Sequence, residues 1–210
     1  MVIDAGDLDE ALALARQGDE AGFLQLWRSL QPRLLRYLRV LGCPDSDDVA
    51  SETWLQAVRD LHTFSGGESD FRGWLFTIGR HRAIDAARAM TRRPASPLSQ
   101  GLEAMADEQH VEEQVLDGIS TASAIGLLAG LSRDQAEAVA LRVIAGLETT
   151  DVAWILGKSA GAVRVALHRG LRTLASDPAA QALAGQAAAA SSARSCSEGP
   201  AGQVRGEVDT

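Results

Sequence analysis

The sequence predicts an all-α protein of two small helical domains joined by an acidic linker, with a disordered C-terminal tail. Only 4% of its 210 residues are aromatic, and alanine and leucine dominate, a composition that favours helices over sheets. Apolar residues recur at three- and four-residue steps through most of 9–92 and again in the C-terminal half, which is the period of an amphipathic helix. The predicted segments are two domains, 1–93 and 122–176, a linker, 94–121, and a tail, 177–210.

The first long helix is predicted within DEAGFLQLWRSLQPRLLRYLRVLG, and Gly42 and Pro44 follow it, because glycine and proline interrupt helices. Its apolar residues share one face and are expected to line a core: Phe23, Leu26, Trp27, Leu30, Leu34, Tyr37 and Leu38. The next helix is predicted within DSDDVASETWLQAVRDLHTF, whose acids fall in the first turn, where they suit the positive end of the helix dipole. The sequence Ser65-Gly66-Gly67 ends this second helix.

A basic, aromatic-rich segment follows at 67–93, with six arginines against three acids in a chain whose net charge is −8. At about 100° per residue its apolar positions fall on two stripes, rotated by roughly 160° from each other. The first stripe is Phe71, Trp74, Leu75 and Ile78, and the second is Ala83, Ile84, Ala87 and Met90. One straight helix cannot keep both stripes on the same core. We therefore predict a break at 79–82, with GRHR forming a polar elbow at the surface.

Two segments have the composition of connecting chain. Residues 94–121 carry six acidic side chains and no basic one, and they open with two prolines, which is typical of a linker. The tail, 177–210, is rich in small residues and poor in core-forming ones, which predicts disorder.

The segment LSRDQAEAVALRVIAGLETTDVAWILGKSAGAVRVALHRGLRTLA reads as helix, short helix, turn and helix. Thr149 or Thr150 can cap the short helix, and Gly157 allows the sharp turn. The last helix is predicted to bury Val163, Leu167, Leu171 and Leu174 and to expose Arg164, His168, Arg169 and Arg172. Such a helix-turn-helix places its last helix in the DNA major groove, although a three-helix packing unit with solvated arginines fits the same pattern.

The sequence argues against several classes of protein. Its acidic start has no signal peptide, and its longest apolar or glycine run, AIGLLAGL, is too short to span a bilayer. Its two cysteines lie far apart, which predicts no disulfide framework and a reducing, cytoplasmic location. His81 with Asp85 and His110 with Glu113 superficially suit metal or acid–base chemistry, but no partner residues cluster with them. We therefore predict neither an enzyme nor a cofactor or metal site.

Two stretches taken together resemble the extracytoplasmic-function group of bacterial RNA polymerase sigma factors. The first is DSDDVASETWLQAVRDLHTFSGGESDFRGWLFTIGRHRAIDAARAMTRRP, and the second, after the acidic spacer, is LSRDQAEAVALRVIAGLETTDVAWILGKSAGAVRVALHRGLRTL. The resemblance covers roughly 20–175 in the family's order and spacing, and the run from the acidic helix to FRGWLFTIGRHRAID is its most specific part. It implies a sigma factor that binds core RNA polymerase and directs promoter-specific initiation.

The resemblance implies a polymerase-binding helix at 45–61, because this segment matches the family helix that docks on the coiled coil of the largest polymerase subunit. The residues implied are Asp48, Glu52, Trp54 and Leu55. Asp48 and Glu52 match acidic residues of the family, whereas Ser51 stands where glutamine is more usual. The alternative is a solvated acidic face around a core formed by Trp54 and Leu55.

The resemblance also assigns melting of the promoter −10 element to 71–93. The residues implied are Trp74, Arg80, His81, Arg82, Arg88, Arg92 and Arg93. The elbow at 79–82 matches the family loop that receives a flipped base, and His81 stands where asparagine is frequent. Rings and arginines suit this work, because stacking offsets the cost of flipping a base and arginines hold the strands by their phosphates. The alternatives are core packing for Trp74 and a solvated helix face for the arginines.

The second domain matches the family domain that recognises the −35 element. The residues implied are Lys158, Arg164, His168, Arg169 and Arg172. Arg164 and Arg169 fall on positions that are usually basic, whereas Lys158 replaces a commonly apolar turn residue. Several outward positions are apolar here where relatives often have polar or basic residues, which predicts weak or unusual −35 recognition.

The predicted partners are core RNA polymerase and promoter DNA, with no membrane insertion, and the sequence leaves open whether an anti-sigma factor restrains the chain. The leading prediction is a dissociable initiation factor. Its rival is a stand-alone helix-turn-helix transcriptional regulator that binds duplex DNA without polymerase. The rival explains 122–176, but it gives no function to the acidic helix at 45–61 or to the arginine- and aromatic-rich segment at 67–93.

Overall fold

The computed structural model describes residues 5–43, 45–92 and 121–185, and within these ranges the chain forms helices and no strand. The N-terminal helices are α1 (Ala5–Arg16), α2 (Glu20–Val40), α3 (Ser46–Asp60) and α4 (Glu68–Arg92), with a 3-10 turn at Leu61–Thr63. The C-terminal helices are α5 (Thr121–Ala129), α6 (Arg133–Val139), α7 (Thr149–Leu156) and α8 (Ala160–Ser176), and a π-helical turn at Ala140–Ile144 extends α6. The all-α prediction is confirmed.

The helix α2 is central to the N-terminal half. Asp19 caps its start, with Oδ1 accepting from the Gly22 backbone N–H at 2.8 Å. The predicted apolar stripe is buried apart from two residues near its N-terminal end. Phe23 is half-buried, with its ring edge against Trp54 at 5.6 Å between centroids, and Trp27 is exposed. The buried part of the stripe packs on α3 and α4 and forms the core that holds the candidate site.

The helix α1 folds back onto α2 at a glycine. A Cβ atom on Gly22 would lie 2.7 Å from the carbonyl oxygen of Ala11, 2.7 Å from Cβ of Leu14 and 2.9 Å from the backbone nitrogen of Ala15. These neighbours are backbone atoms or a Cβ, so none of them can rotate away. The close approach of the two helices therefore requires glycine at this position.

We expect Gly22→Ala to lower the free energy of unfolding by about 1–3 kcal/mol, the usual cost of overpacking, and so to lower the melting temperature. The matched control is Gly126→Ala in α5, where a Cβ would meet nothing within 4 Å and where alanine favours the helix. Thermal unfolding followed by circular dichroism measures both variants. Equal melting temperatures would contradict the packing described for Gly22.

The helix α4 runs without a break over Glu68–Arg92, so the predicted break and surface elbow at 79–82 are wrong. Gly79 is buried, and a Cβ there would lie 2.9 Å from Cδ1 of Leu34. This position therefore packs α4 against α2 instead of opening a loop. Past Ala83 the residues of the second apolar stripe are half-buried or exposed. Both stripes can lie on one straight helix because only the first stripe packs in the core.

The C-terminal helices include the predicted helix-turn-helix. After α7, Gly157 adopts a left-handed conformation with φ 62°, and Ser159 caps α8 by accepting from the Ala162 backbone N–H at 3.2 Å. The predicted threonine cap of α7 is wrong. The helix begins at Thr149, and the capping position belongs to Glu148, whose side chain makes no cap hydrogen bond. The turn and the start of α8 therefore depend on the glycine and the serine.

The buried face of α8 differs from the prediction at Leu171, and Leu174 is half-buried instead of buried. Val163 and Leu167 are buried as predicted, but Leu171 is 47% exposed. Gly170 takes its place in the contact with α6. A Cβ on Gly170 would lie 3.0 Å from Cγ2 of Val139, so the two helices approach each other closely at the glycine, and residue 171 is turned towards solvent.

Helical structure continues past the predicted end of the second domain. Residues 178–185 are helical, and Asp177 caps them, with Oδ1 accepting from the Ala179 backbone N–H at 2.8 Å. Aspartate followed by Pro178 is a common helix start, and this is the sequence signal for the extra helix. The predicted disorder of 177–210 is wrong for these residues. The rest of the tail, and the linker before α5, lie outside the described residues.

The N-terminal and C-terminal helices pack against each other. The helix α2 contacts α5, α6 and the π-helical turn, and α4 contacts α7. The two predicted domains therefore share an interface, which the sequence did not indicate.

Candidate nucleic-acid interface

The exposed face of α3 carries three of the four residues predicted to bind polymerase. Asp48, Glu52 and Leu55 follow one another at four- and three-residue steps and are exposed, Leu55 at 66%. Trp54 is only 5% exposed, and its Nε1–H donates to Oε1 of Gln31 at 2.7 Å. The indole therefore stabilises the core, and Leu55 is the apolar group that this face presents to a partner.

Arg82 connects the two predicted interfaces. Its guanidinium donates to Oε1 of Gln56 at 2.9 and 3.2 Å and to Oε2 of Glu52 at 3.3 Å. Both partners belong to α3, which carries the predicted polymerase-binding residues, whereas Arg82 belongs to α4 and is predicted to bind DNA. Because Glu52 is exposed, the ion pair is weak in water, and a DNA phosphate can compete for the arginine.

The second half of α4 presents predicted DNA-binding arginines to solvent. Arg88 and Arg92 are exposed; Arg88 pairs with Asp85 at 3.4 Å, and Arg92 donates to the Arg88 carbonyl oxygen at 3.1 Å. Together with Arg133 of α6 they line an open groove of about 510 Å³ that also includes part of the second apolar stripe. The groove offers three guanidinium groups and apolar surface to a ligand. Arg93 lies outside the described residues.

The two predicted base-contacting residues share one side of α4. Trp74 and His81 are seven residues apart, which is close to two full turns. Trp74 is half-buried and stacks on Phe64, with ring centroids 5.1 Å apart and 29° between the planes, and it also contacts the buried Phe71. His81 is exposed. Trp74 therefore belongs to the aromatic cluster at the edge of the core, and His81 lies on regular helix surface instead of in a loop.

Arg80 has surroundings that the sequence did not indicate. Its Nε donates to Oε1 of Glu137 at 2.6 Å, and the Tyr37 hydroxyl donates to the same oxygen at 3.2 Å. Glu137 is only 6% exposed. Burial, and then the charge of Glu137, raise the pKa of Tyr37 well above its usual value, so Tyr37 remains a hydrogen-bond donor. Glu137 lies 57 residues from Arg80 and 100 from Tyr37 along the chain, so no local pattern points to this contact.

The outward face of α8 carries the basic residues predicted to contact DNA. Exposed side chains on this face are Arg164, His168, Arg169 and Arg172. Lys158, in the turn before α8, pairs with Asp134 of α6, which partly neutralises its charge. Val165 is exposed between the basic residues, and an apolar side chain there can contact a thymine methyl group. The face therefore offers both charged and apolar contacts to a major groove.

Trp154, in the first helix of the helix-turn-helix, is an exposed residue that the sequence prediction missed. Its side chain is 70% exposed. In the run DVAWIL, Val152 and Ile155 lie three residues apart and are both buried. That spacing is the signal that places Trp154 on the opposite side of the helix.

Metal binding, membrane insertion and thiol chemistry find no support in the described residues. Among them, no group of three or more His, Cys, Asp or Glu side chains could hold a metal ion. No helix in the described part of the chain combines the length and the apolar character that crossing a membrane requires. Cys43 is half-buried, and burial raises the pKa of its thiol, which disfavours the reactive thiolate at neutral pH.

Both halves of the chain match known protein families. The family model described as Sigma-70 region 2 matches residues 26–93, and the one described as Sigma-70, region 4 matches residues 123–174. The chain is 32% identical over 174 residues to the ECF RNA polymerase sigma factor BldN of Streptomyces coelicolor, covering 82% of this chain and 66% of that protein. It is 31% identical over 180 residues to the ECF RNA polymerase sigma factor SigD of Mycobacterium tuberculosis, covering 83% and 85%.

Solved structures show the same architecture. CnrH, in complex with the cytosolic domain of CnrY, is 26% identical, with a TM-score of 0.55, and the match covers 82% of this chain and 96% of that one. The sigma factor RpoE, in complex with the anti-sigma factor NepR from Bartonella quintana, is 22% identical, with a TM-score of 0.51, and the match covers 77% and 95%. Because RpoE is only 22% identical to this chain, that match shows a common fold and nothing more.

Proposed function

Because this chain belongs to the extracytoplasmic-function sigma factors of RNA polymerase, we propose that α3 docks it on core polymerase while α4 and α8 contact the promoter. The observation that carries this proposal is the match to SigD, which extends over 83% of this chain and 85% of that protein. The chain therefore acts with RNA polymerase in promoter-directed initiation of transcription. The assignment of individual residues to this work rests on their exposure and contacts.

The proposed polymerase-binding surface is the exposed face of α3. Leu55 supplies an apolar anchor, and Asp48 and Glu52 supply charge beside it. Interfaces commonly combine a central apolar side chain with a polar rim, and the anchor contributes most of the affinity. Trp54 stabilises the position of α3, because its buried indole donates a hydrogen bond to Gln31 of α2.

The proposed −10 surface is the side of α4 that carries its exposed polar residues. Arg88 and Arg92 would hold strand phosphates, with Arg93 beside them, while His81 and the exposed part of Trp74 would face an unstacked base. Flipping a base costs a few kcal/mol, and stacking on a ring returns about 1–3 kcal/mol. Arginines alone would give salt-sensitive binding without strand separation. Rings and guanidinium groups on one helix therefore suit melting of DNA.

The proposed −35 surface is the outward face of α8. The helix begins at a capped N-terminus after the Gly157 turn, which is the geometry by which a helix-turn-helix places its recognition helix in the major groove. Arg164 and Arg169 would bind phosphates or guanine edges. Because Lys158 is paired with Asp134, we expect it to contribute less to DNA binding than Arg164 and Arg169.

The proposed division of labour assigns 1–93 to polymerase binding and −10 melting, 122–176 to the −35 element, and 94–121 to the connection between them. We place the protein in the cytoplasm, where polymerase and chromosome are, and we assign it no catalytic role. An anti-sigma factor is a further proposed partner, since CnrH is a similar protein in complex with the cytosolic domain of CnrY.

The rival function, a helix-turn-helix regulator that binds duplex DNA without polymerase, is not favoured. It requires only the second half of the chain. The first half matches Sigma-70 region 2 over residues 26–93, and the rival gives that match no role.

The test is transcription in vitro with purified core polymerase. We expect core polymerase plus this protein to start transcripts at a promoter that core polymerase alone ignores, and we expect the protein to co-purify with core. The promoter comes from mapping transcript starts after overexpression in a host. Tight, specific binding of duplex DNA by the isolated protein, with no effect on core polymerase, would support the rival function instead.

A further inference from the structure

One buried carboxylate joins the two halves of the chain. Glu137 of α6 accepts hydrogen bonds from Arg80 of α4 at 2.6 Å and from Tyr37 of α2 at 3.2 Å. A buried charge is tolerated only when it is paired and hydrogen-bonded, and these two groups meet that requirement. We refer to Glu137, Arg80 and Tyr37 as the Glu137 clasp.

A second contact joins the same two halves of the chain. Nη1 of Arg72 donates to the backbone carbonyl oxygens of Ala145 at 3.4 Å and Gly146 at 3.1 Å, while Nη2 pairs with the buried Glu68. A Cβ on Gly146 would lie 2.8 Å from Nη1, so glycine gives the guanidinium access to the backbone. Across the described residues, no buried side-chain nitrogen or oxygen lacks a hydrogen-bond partner. The buried polar side chains of this interface are therefore all hydrogen-bonded.

This arrangement is incompatible with simultaneous reading of both promoter elements. By their names the −35 and −10 elements are about 25 base pairs apart, which is about 85 Å of B-form DNA at about 3.4 Å per base pair. In the structure α4 touches α6 through the clasp, and α6 packs directly on α8. The chain between 92 and 121 reaches about 100 Å when fully extended at about 3.4 Å per residue. The halves can therefore span the promoter, but only after the clasp opens.

Arg80 makes the clasp more than a packing contact, because it is also one of the residues that the sequence predicts to bind the −10 element. A carboxylate and a DNA phosphate are both acceptors for a guanidinium group. While Nε of Arg80 donates to Glu137, that nitrogen is not available to a DNA phosphate.

We propose that the Glu137 clasp is an autoinhibitory contact, in which Glu137 occupies Arg80 in the free factor and releases it when the two halves separate on the promoter. This inference rests on the proposed function of α4 and α8. The apparent affinity of the free chain for DNA equals the intrinsic affinity scaled by the fraction of open molecules. A change that weakens the clasp therefore strengthens DNA binding without adding any contact to DNA.

The test compares Glu137→Gln with Glu148→Gln in the full chain without polymerase. Both changes replace a glutamate by glutamine, but Glu148 pairs with Arg142, which belongs to no proposed DNA-binding surface, and is outside the clasp. The probe is a fluorescent single strand of about 20 thymine- and adenine-rich nucleotides. We expect Glu137→Gln to bind it about fivefold more tightly than the native chain and to show a larger radius of gyration in X-ray scattering, with Glu148→Gln unchanged in both.

Two further variants separate the clasp from general effects. Tyr37→Phe removes one hydrogen bond and no charge, and we expect a smaller gain in the same direction. Adding Arg80→Ala to Glu137→Gln should abolish the gain, because the released donor is then missing. Circular dichroism checks that each variant is folded. If Glu137→Gln is misfolded, the DNA affinity of Tyr37→Phe tests the proposal in its place: a gain supports the clasp, and native affinity overturns it.

The proposal is overturned if Glu137→Gln and Glu148→Gln gain affinity equally, or if the gain survives without Arg80. It is also overturned if the weakened clasp leaves DNA affinity and radius of gyration at native values. Failure of the proposed function would look different. In that case the native chain would give no transcript with core polymerase, whatever the clasp variants do alone.

Discussion

Leu55→Asp abolishes polymerase-dependent transcription if α3 docks as proposed. Truncating a central apolar anchor typically costs about 2 kcal/mol or more, which is about 30-fold in affinity, and aspartate adds the cost of placing a charge in a dry interface. We therefore expect affinity for core polymerase to fall by at least about 30-fold. The fold should be unaffected, because the leucine side chain is largely exposed.

The matched control for this variant is Leu24→Asp. Leu24 is an exposed leucine of α2 outside the proposed polymerase-binding face, so the same substitution there should leave affinity nearly unchanged. Fluorescence anisotropy of labelled protein titrated with core polymerase measures both. Native affinity in the Leu55→Asp protein would place the docking surface elsewhere on the chain.

The second large effect is expected from Arg88→Ala combined with Arg92→Ala. Each phosphate contact to a single strand contributes about 0.7 to the slope of log affinity against log salt, so the double variant should lose about 1.4 from that slope. Strand separation should fail at low temperature, because the strands are no longer held apart by their phosphates. Binding to core polymerase should remain, since neither arginine lies on the exposed face of α3.

Permanganate reactivity of promoter thymines in the holoenzyme complex measures strand separation directly. The matched control combines Arg16→Ala with Arg28→Ala, which removes two exposed arginines from α1 and α2 and the same total charge. We expect reactive thymines with the control and unreactive thymines with the Arg88 and Arg92 variant. Equal reactivity would show that α4 does not hold the strands.

Local signals in the sequence were sufficient for most of the fold. The stripe of α2 follows helical spacing, and Gly157 marks the turn before α8; each of these features depends on residues close together in the chain. The exposure of the predicted basic residues of α8 follows in the same way, because a buried face at regular spacing defines the opposite face.

The sequence predictions are wrong where a contact with a distant segment of the chain determines the local structure. Two stripes on α4 suggested a break, but the second stripe lies beyond the core and Gly79 packs on Leu34. Leu171 was assigned to the core, yet Gly170 makes the close contact with Val139 of another helix. The Glu137 clasp joins residues far apart in sequence, so only the folded chain reveals it.

The unbroken α4 has a consequence for how the promoter is chosen. Its 25 residues make a rod about 37 Å long, anchored at one end and without a joint along its length. A continuous helix of this kind does not bend around DNA, so the DNA duplex has to deform instead. If α4 melts the −10 element as proposed, we expect sequences that unstack easily, such as thymine–adenine steps, to be preferred because they deform readily as well as for any contact they make.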